Sequence, residues 1–125
     1  MHVAGQISDQ HRLASVIASA DGLIHGSAAE TFGLVLAEAL CSGTPVIVPD
    51  AGASATFAGP GYAEIYRPGD AADGAAAILA LVAGDRAAQS RAALIAADAR
   101  VNSVEQHFET LFEIYERIVA ERSTR

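Results

Sequence analysis

Two glutamates eight positions apart, Glu30 and Glu38, are the residues whose type and spacing best suit chemistry in this 125-residue chain. Glu38 falls in the apolar run Leu34-Val35-Leu36-Ala37-Glu38-Ala39-Leu40, which reads as a helix with little solvated face. A carboxylate in a helix that is apolar nearly all round needs a partner. Eight helical residues advance ~12 Å and rotate ~80° beyond two full turns. If the helix starts just after Glu30, both carboxylates lie near its start and on one face, about the span of a sugar, a diphosphate and a ribose, and one molecule touches both. Each also has an ordinary explanation taken singly. Glu30 stabilises a helix N-terminus by roughly 0.3–1 kcal/mol, and Glu38 sits on a solvent edge.

The turn Gly26-Ser27-Ala28-Ala29-Glu30-Thr31-Phe32-Gly33 adds a second feature. It follows an apolar strand and opens a helix, the position at which open α/β sheets bind ligands. The N–H groups of Phe32, Gly33 and Leu34 are expected to be free to face an anion, and Gly33 lets a ligand approach the backbone. All eight basic residues are Arg, so an anion here has backbone donors and no Lys.

These residues need a scaffold, and the chain supplies alternating elements. His2-Val3-Ala4-Gly5 reads as the tail of a strand, followed by a helix capped by Ser8 or Asp9 with Leu13, Val16, Ile17 and Ala20 at helical spacing. Leu23-Ile24-His25 is a short buried strand, and a helix runs from about Phe32 to Ser42, closed by Gly43 with Pro45 beyond. Val46-Ile47-Val48 is β-branched throughout and Tyr62 to Tyr66 alternates, which gives two more strands; Ala53 to Ala58 between them makes one or two helical turns. Helices follow over Ala75–Val82, Arg86–Ala99 and Val104–Val119, the last with Phe108, Leu111, Phe112, Tyr115 and Val119 on one face. Strand and helix alternate as in a parallel, doubly wound sheet. The fold class is therefore α/β, Rossmann-like, with flanking helices, in one unit over 1–125 whose C-terminal helices occupy 75–121.

Composition sets the bounds. With 51% hydrophobic and 18% charged residues the chain is globular, and a chain of this size buries roughly two thirds of its unfolded surface. A net charge of −7 disfavours nucleic acid as a partner. A lone Cys41, no signal-peptide pattern and no membrane-length apolar run give an expected cytoplasmic location. His2, His11, His25 and His107 form no ligand-spaced cluster, so no metal is expected. There is no G-x-G-x-x-G and no P-loop Lys to support a dinucleotide or triphosphate site.

The stretch from Ala20-Asp21-Gly22 through Glu30-Thr31-Phe32-Gly33 and Glu38 to Gly43-Thr44-Pro45-Val46-Ile47-Val48 resembles the retaining GT-B glycosyltransferases of the glycosyltransferase 4 family (group 1), whose E-x7-E motif stands in this setting. The likeness continues through Gly52, Gly69-Asp70 and the last helix. It implies the nucleotide-sugar-binding, C-terminal Rossmann-like half of a GT-B enzyme, with a UDP- or GDP-sugar as donor and no cofactor. It implies Glu30 as the catalytic residue near the sugar hydroxyls and Glu38 on the ribose hydroxyls. Ser27, Thr31, Phe32, Gly33 and Leu34 would complete the donor site.

The chain departs from the family pattern at Gly26, where the family has proline, at Gly52-Ala53-Ser54-Ala55-Thr56, where an acidic position is lost, and at Val104, where an aromatic is usual. The resemblance further implies an N-terminal acceptor domain and two opening strands with an Arg and a Lys, which this sequence lacks. The chain alone is thus expected not to transfer sugar. Its first strand, short of neighbours, either packs beside Leu23-Ile24 or leaves an edge for another segment or copy, a route to homo-oligomers. The alternative reading is a non-catalytic nucleotide-sugar-binding or protein-interaction module of the same fold.

Overall fold

The computed structural model describes residues 3–123. Helix α1 (Gln10–Ser19) starts at Asp9, whose carboxylate accepts the Arg12 N–H at 2.8 Å, and it buries Ile17. Strand β1 (Leu23–Ile24) leads through residues 25–33 into α2 (Leu34–Cys41). Gly43, at φ 70°, then turns the chain into β2 (Val46–Pro49), and a Cβ there would meet the Ser90 hydroxyl at 2.7 Å. A 3-10 turn (Ala53–Phe57) and β3 (Ala63–Tyr66) follow, then α3 (Ala71–Ala83), α4 (Arg86–Arg100) and α5 (Val104–Ser123).

The three strands form one parallel sheet in the order β1-β2-β3, with Leu23 opposite Val46 and Val46 opposite Ala63. All four residues of the central β2 are buried, as a strand covered on both faces requires. The period of two sorts them. Val46 and Val48 join Ile17, Leu36, Leu40, Ala93 and Ala97 in one core, while Ile47 joins Ala77, Leu81 and Tyr66 in a second. The sheet is thus sandwiched between α1, α2 and α4 on one side and α3 on the other, a Rossmann-like α/β arrangement. Two long-range ties close it: Thr44 Oγ1 donates to the Ile17 carbonyl at 2.8 Å, and Arg86 pairs with Asp21 at 2.6 Å.

Three expectations change. Val3-Ala4-Gly5 is not a strand: Val3 is 76% exposed and Gly5 takes φ 71°, so with no ladder partner the stretch stays irregular, and His2 lies outside the described residues. Packing of this segment beside Leu23-Ile24 is therefore ruled out. Among the described residues no strand pairs with the outer edge of β1, where Ile24 is 53% exposed. Helix α3 begins at Ala71, four residues before the expected Ala75, because Asp70 caps it with bonds from Ala72 and Asp73 N–H. Gly74 lies inside that helix beside Tyr66, at a cost of about 1 kcal/mol relative to Ala.

The last helix carries a reciprocal cap, Ser103 N–H to Gln106 Oε1 and Gln106 N–H to Ser103 Oγ. Its expected apolar face exists, but Phe108, Phe112, Tyr115 and Val119 are all exposed and only Leu111 of the five is half-buried. Among the described residues no helix is long and apolar enough to cross a membrane.

Candidate functional site

The site begins where β1 ends. His25 continues the ladder, its N–H donating to the Ile47 carbonyl at 2.9 Å, and its own carbonyl accepts the Tyr66 hydroxyl at 2.8 Å. Tyr66 closes β3, so this bond reaches across the end of β2 and pins the start of the loop to both neighbouring strands.

Beyond it the loop is shaped by its own polar groups. Ser27 Oγ accepts the Ala29 N–H at 3.2 Å, and the Ser27 carbonyl accepts the hydroxyl of fully buried Ser54 at 3.3 Å. The Glu30 carboxylate turns back on the chain: Oε1 accepts the N–H groups of Thr31 at 2.9 Å and Phe32 at 3.1 Å. Its second oxygen, Oε2, lies 3.3 Å from His25 Nε2. The N–H groups of Phe32 foremost, then of Gly33, with a smaller part from Thr31 and the His25 charge, hold the Glu30 carboxyl below its ordinary value of 4.5, against a modest opposing effect of burial.

Helix α2 therefore starts at Leu34, two residues later than expected. Gly33 serves as its N-cap at φ 73° and ψ 36°, a left-handed conformation that glycine adopts without strain. A Cβ at Gly33 would also stand 2.7 Å from the Phe57 ring, so the residue is fixed by conformation and by space. The helical arithmetic linking Glu30 to Glu38 does not apply, because residues 30–33 are not helical. Glu38 is the fifth residue of α2.

The expectation of a helix buried nearly all round is corrected too. Leu36, Ala39 and Leu40 are buried, but Leu34 is 66% and Val35 36% exposed, and Glu38 shares their outer face with exposed Cys41. Glu38 is exposed on that face, so its carboxylate needs no internal partner. Phe32, 74% exposed, and Thr31 also face solvent. Of the N–H groups expected to be free for an anion, those of Phe32 and Gly33 are engaged by Glu30.

Two features carry more of the site than their residue types suggest. Residues 52–57, set aside because an acidic position is lost there, support the Glu30 loop. Ala53 N–H reaches the Glu30 carbonyl at 3.4 Å, and Gly52, at φ 62°, passes so close that a Cβ would stand 2.7 Å from the Ala28 carbonyl oxygen. His25 was weighed only as a metal ligand and discounted. The usable signal was its place at the carboxyl end of a strand, five residues before the glutamate.

A neighbouring open groove of about 390 Å³, lined by Ile24, Tyr66, Asp70, Gly74 and Ile78 among others, is mostly apolar. None of residues 26–38 lines it, so the Glu30 loop is a surface site beside it, and the polar chemistry lies on the loop. Among the described residues no group of three or more His, Cys, Asp or Glu is placed to hold a metal ion.

A parallel sheet flanked by helices, with a loop and a carboxylate at a strand's carboxyl end, defines an α/β protein of the Rossmann-like class, in which that end of the sheet is where ligands bind. The chain belongs to the group 1 glycosyl transferases: the model of that family, described as "Glycosyl transferases group 1", matches residues 1–100. No curated protein sequence matches it significantly. Helix α5 lies beyond the matched region.

Proposed function

We propose that the chain forms the donor-binding part of a retaining, GT-B type glycosyltransferase of the glycosyltransferase 4 family, which takes a sugar from a UDP- or GDP-sugar in the cytoplasm. The observation that carries the reading is the Glu30 carboxylate, fixed by the N–H groups of Thr31 and Phe32 at the opening of α2, with Glu38 exposed further along the same helix. A carboxylate held in place accepts sugar hydroxyls without first losing conformational freedom. In this reading Glu30 is the catalytic residue at the sugar, Glu38 takes the ribose hydroxyls, and Ser27, Thr31, Phe32, Gly33 and Leu34 line the donor.

Neutralising the departing diphosphate requires cationic or N–H donors. The nearest Arg in sequence on the C-terminal side, Arg67, is paired with Asp70 and Asp73. The cations are assigned to an acceptor-bearing domain or another chain, and the isolated chain is expected to bind donor without turning it over. The other reading, a binding or interaction module that has lost transfer, is favoured by the exposed Phe32, Leu34 and α5 face. Calorimetry with UDP-glucose and GDP-mannose on the wild type, Glu30→Ala and Glu38→Ala tests the assignment. Each substitution is expected to weaken binding at least about tenfold. Binding unaffected by both would remove the donor site from this loop, and rapid turnover by the chain alone would refute the need for outside cations.

A further inference from the structure

The Glu30 carboxylate divides its work between its two oxygens. Oε1 is committed to the chain through Thr31 and Phe32 N–H, so Oε2 is the oxygen left for a ligand hydroxyl. The atom beside Oε2 is His25 Nε2, at 3.3 Å. That nitrogen is shut away from solvent and has no aligned hydrogen-bond partner, while the imidazole side chain as a whole is 13% exposed and the Glu30 side chain 24%. A buried ring nitrogen without a partner is costly, and one carboxylate oxygen stands within reach to relieve it by a small rotation. The backbone that carries the ring is pinned, bonded on one side to Ile47 and on the other to Tyr66, so the ring starts from a fixed point next to Glu30. Tyr66, from β3, is the second titratable group against this residue, and its hydroxyl goes to the carbonyl oxygen rather than to the ring.

We infer that His25 is a positioning residue for Glu30: its Nε2 fixes the direction in which Oε2 presents its remaining lone pair to a sugar hydroxyl. The role rests on the donor-site reading above for its ligand, but the His25–Glu30 hold itself does not. Nε2 acts as a donor in either the Nε2–H neutral tautomer or the imidazolium, so the hold survives a change of protonation and strengthens with positive charge. Substitution separates this atom from bulk. Gln at this position can bring an amide N–H close to the place of Nε2, whereas Asn reaches only the place of Nδ1.

The experiment uses the whole chain with carboxyl-labelled glutamate and ring-labelled histidine, followed by NMR, and UDP-glucose as the binding probe. In the wild type, the His25 Nε2 resonance is expected to shift at the same midpoint as the Glu30 carboxyl carbon. In His25→Asn the Glu30 midpoint moves up and UDP-glucose binds about tenfold more weakly, and His25→Gln restores much of both. An Nε2 resonance indifferent to the Glu30 titration overturns the hold without reliance on any variant folding. A shifted Glu30 midpoint with undiminished UDP-glucose binding in His25→Asn overturns the positioning role. If the wild type shows the coupled titration and binds neither UDP-glucose nor GDP-mannose, the hold stands and the donor-site reading fails.

Discussion

The loop at Glu30 and the outer face of α2 at Glu38 carry the same side chain in opposite circumstances. Glu30 is taken up by the chain before any ligand arrives: two N–H groups on one oxygen, an imidazole by the other, and a backbone clasp to Ala53 behind it. Glu38 stands in solvent beside Leu34 and Val35, with its position set by the helix alone. The pair teaches that eight-residue spacing is not a geometric ruler here, since the first four positions form a glycine-dependent turn. One carboxylate is organised in advance. The other has only its helix to place it.

Four substitutions or conditions break or sharpen that contrast. The largest effect is expected at Gly52, whose φ of 62° and ψ of −159° are nearly exclusive to glycine and whose missing Cβ faces a backbone oxygen that cannot yield. Gly52→Ala is expected to cost about 1–3 kcal/mol in denaturant unfolding and to loosen the Glu30 loop more than α2, seen as faster amide exchange at Thr31 and Phe32. A smaller loss, again about 1–3 kcal/mol but nearer the lower end, is expected for Gly33→Ala, because the Phe57 ring can move aside while the left-handed φ remains unfavourable.

Acid comes next. The folded chain holds Glu30 below 4.5, chiefly through Phe32 N–H, and Asp73 below 3.8, chiefly through Arg67 N–H. Both carboxyls bind protons more readily unfolded, so their stabilisation is complete above those ordinary values and is lost as pH falls through the lower folded ones. Urea midpoints should therefore drop between about pH 5 and pH 3, and Glu30→Gln should flatten part of that slope. A slope identical in the wild type and Glu30→Gln would remove Glu30 as a carboxylate that the fold holds in place. The smallest effect is on α5: Phe112→Ser, at a residue 59% exposed, is expected to change stability by less than about 0.5 kcal/mol. A larger loss, or a light-scattering mass above one chain that falls on substitution, would show that a second copy covers this face.

Most of the scaffold was legible in the sequence because its signals are local. The β-branched Val46-Ile47-Val48, the turn at Gly43-Thr44-Pro45 and the cap at Asp9 each specify their own element, and β1, β2, β3, α1, α4 and α5 lie close to where periodicity places them. Val3 failed because a strand exists only with a neighbour to pair with, which no local pattern reports. The start of α2 was misplaced because Phe32 and Gly33 look helical in an apolar run, while the Glu30 side chain competes for their N–H groups. The site was readable as far as the glutamates and the glycine. The parts around it, namely His25 beside the Glu30 carboxylate, Ala53 on the Glu30 carbonyl and Ser54 on the Ser27 carbonyl, come from outside the turn and come together only when the chain is folded.

The bond from Tyr66 to the His25 carbonyl spans 41 residues of sequence. It therefore sets an order of events during synthesis. Until β3 has emerged and docked, the start of the loop lacks its clasp, and closing so long a connection is among the slower steps open to a small domain. A nascent chain ending before residue 66 carries both glutamates yet lacks this clasp, so the loop at Glu30 takes its final form late, when the third strand completes the sheet.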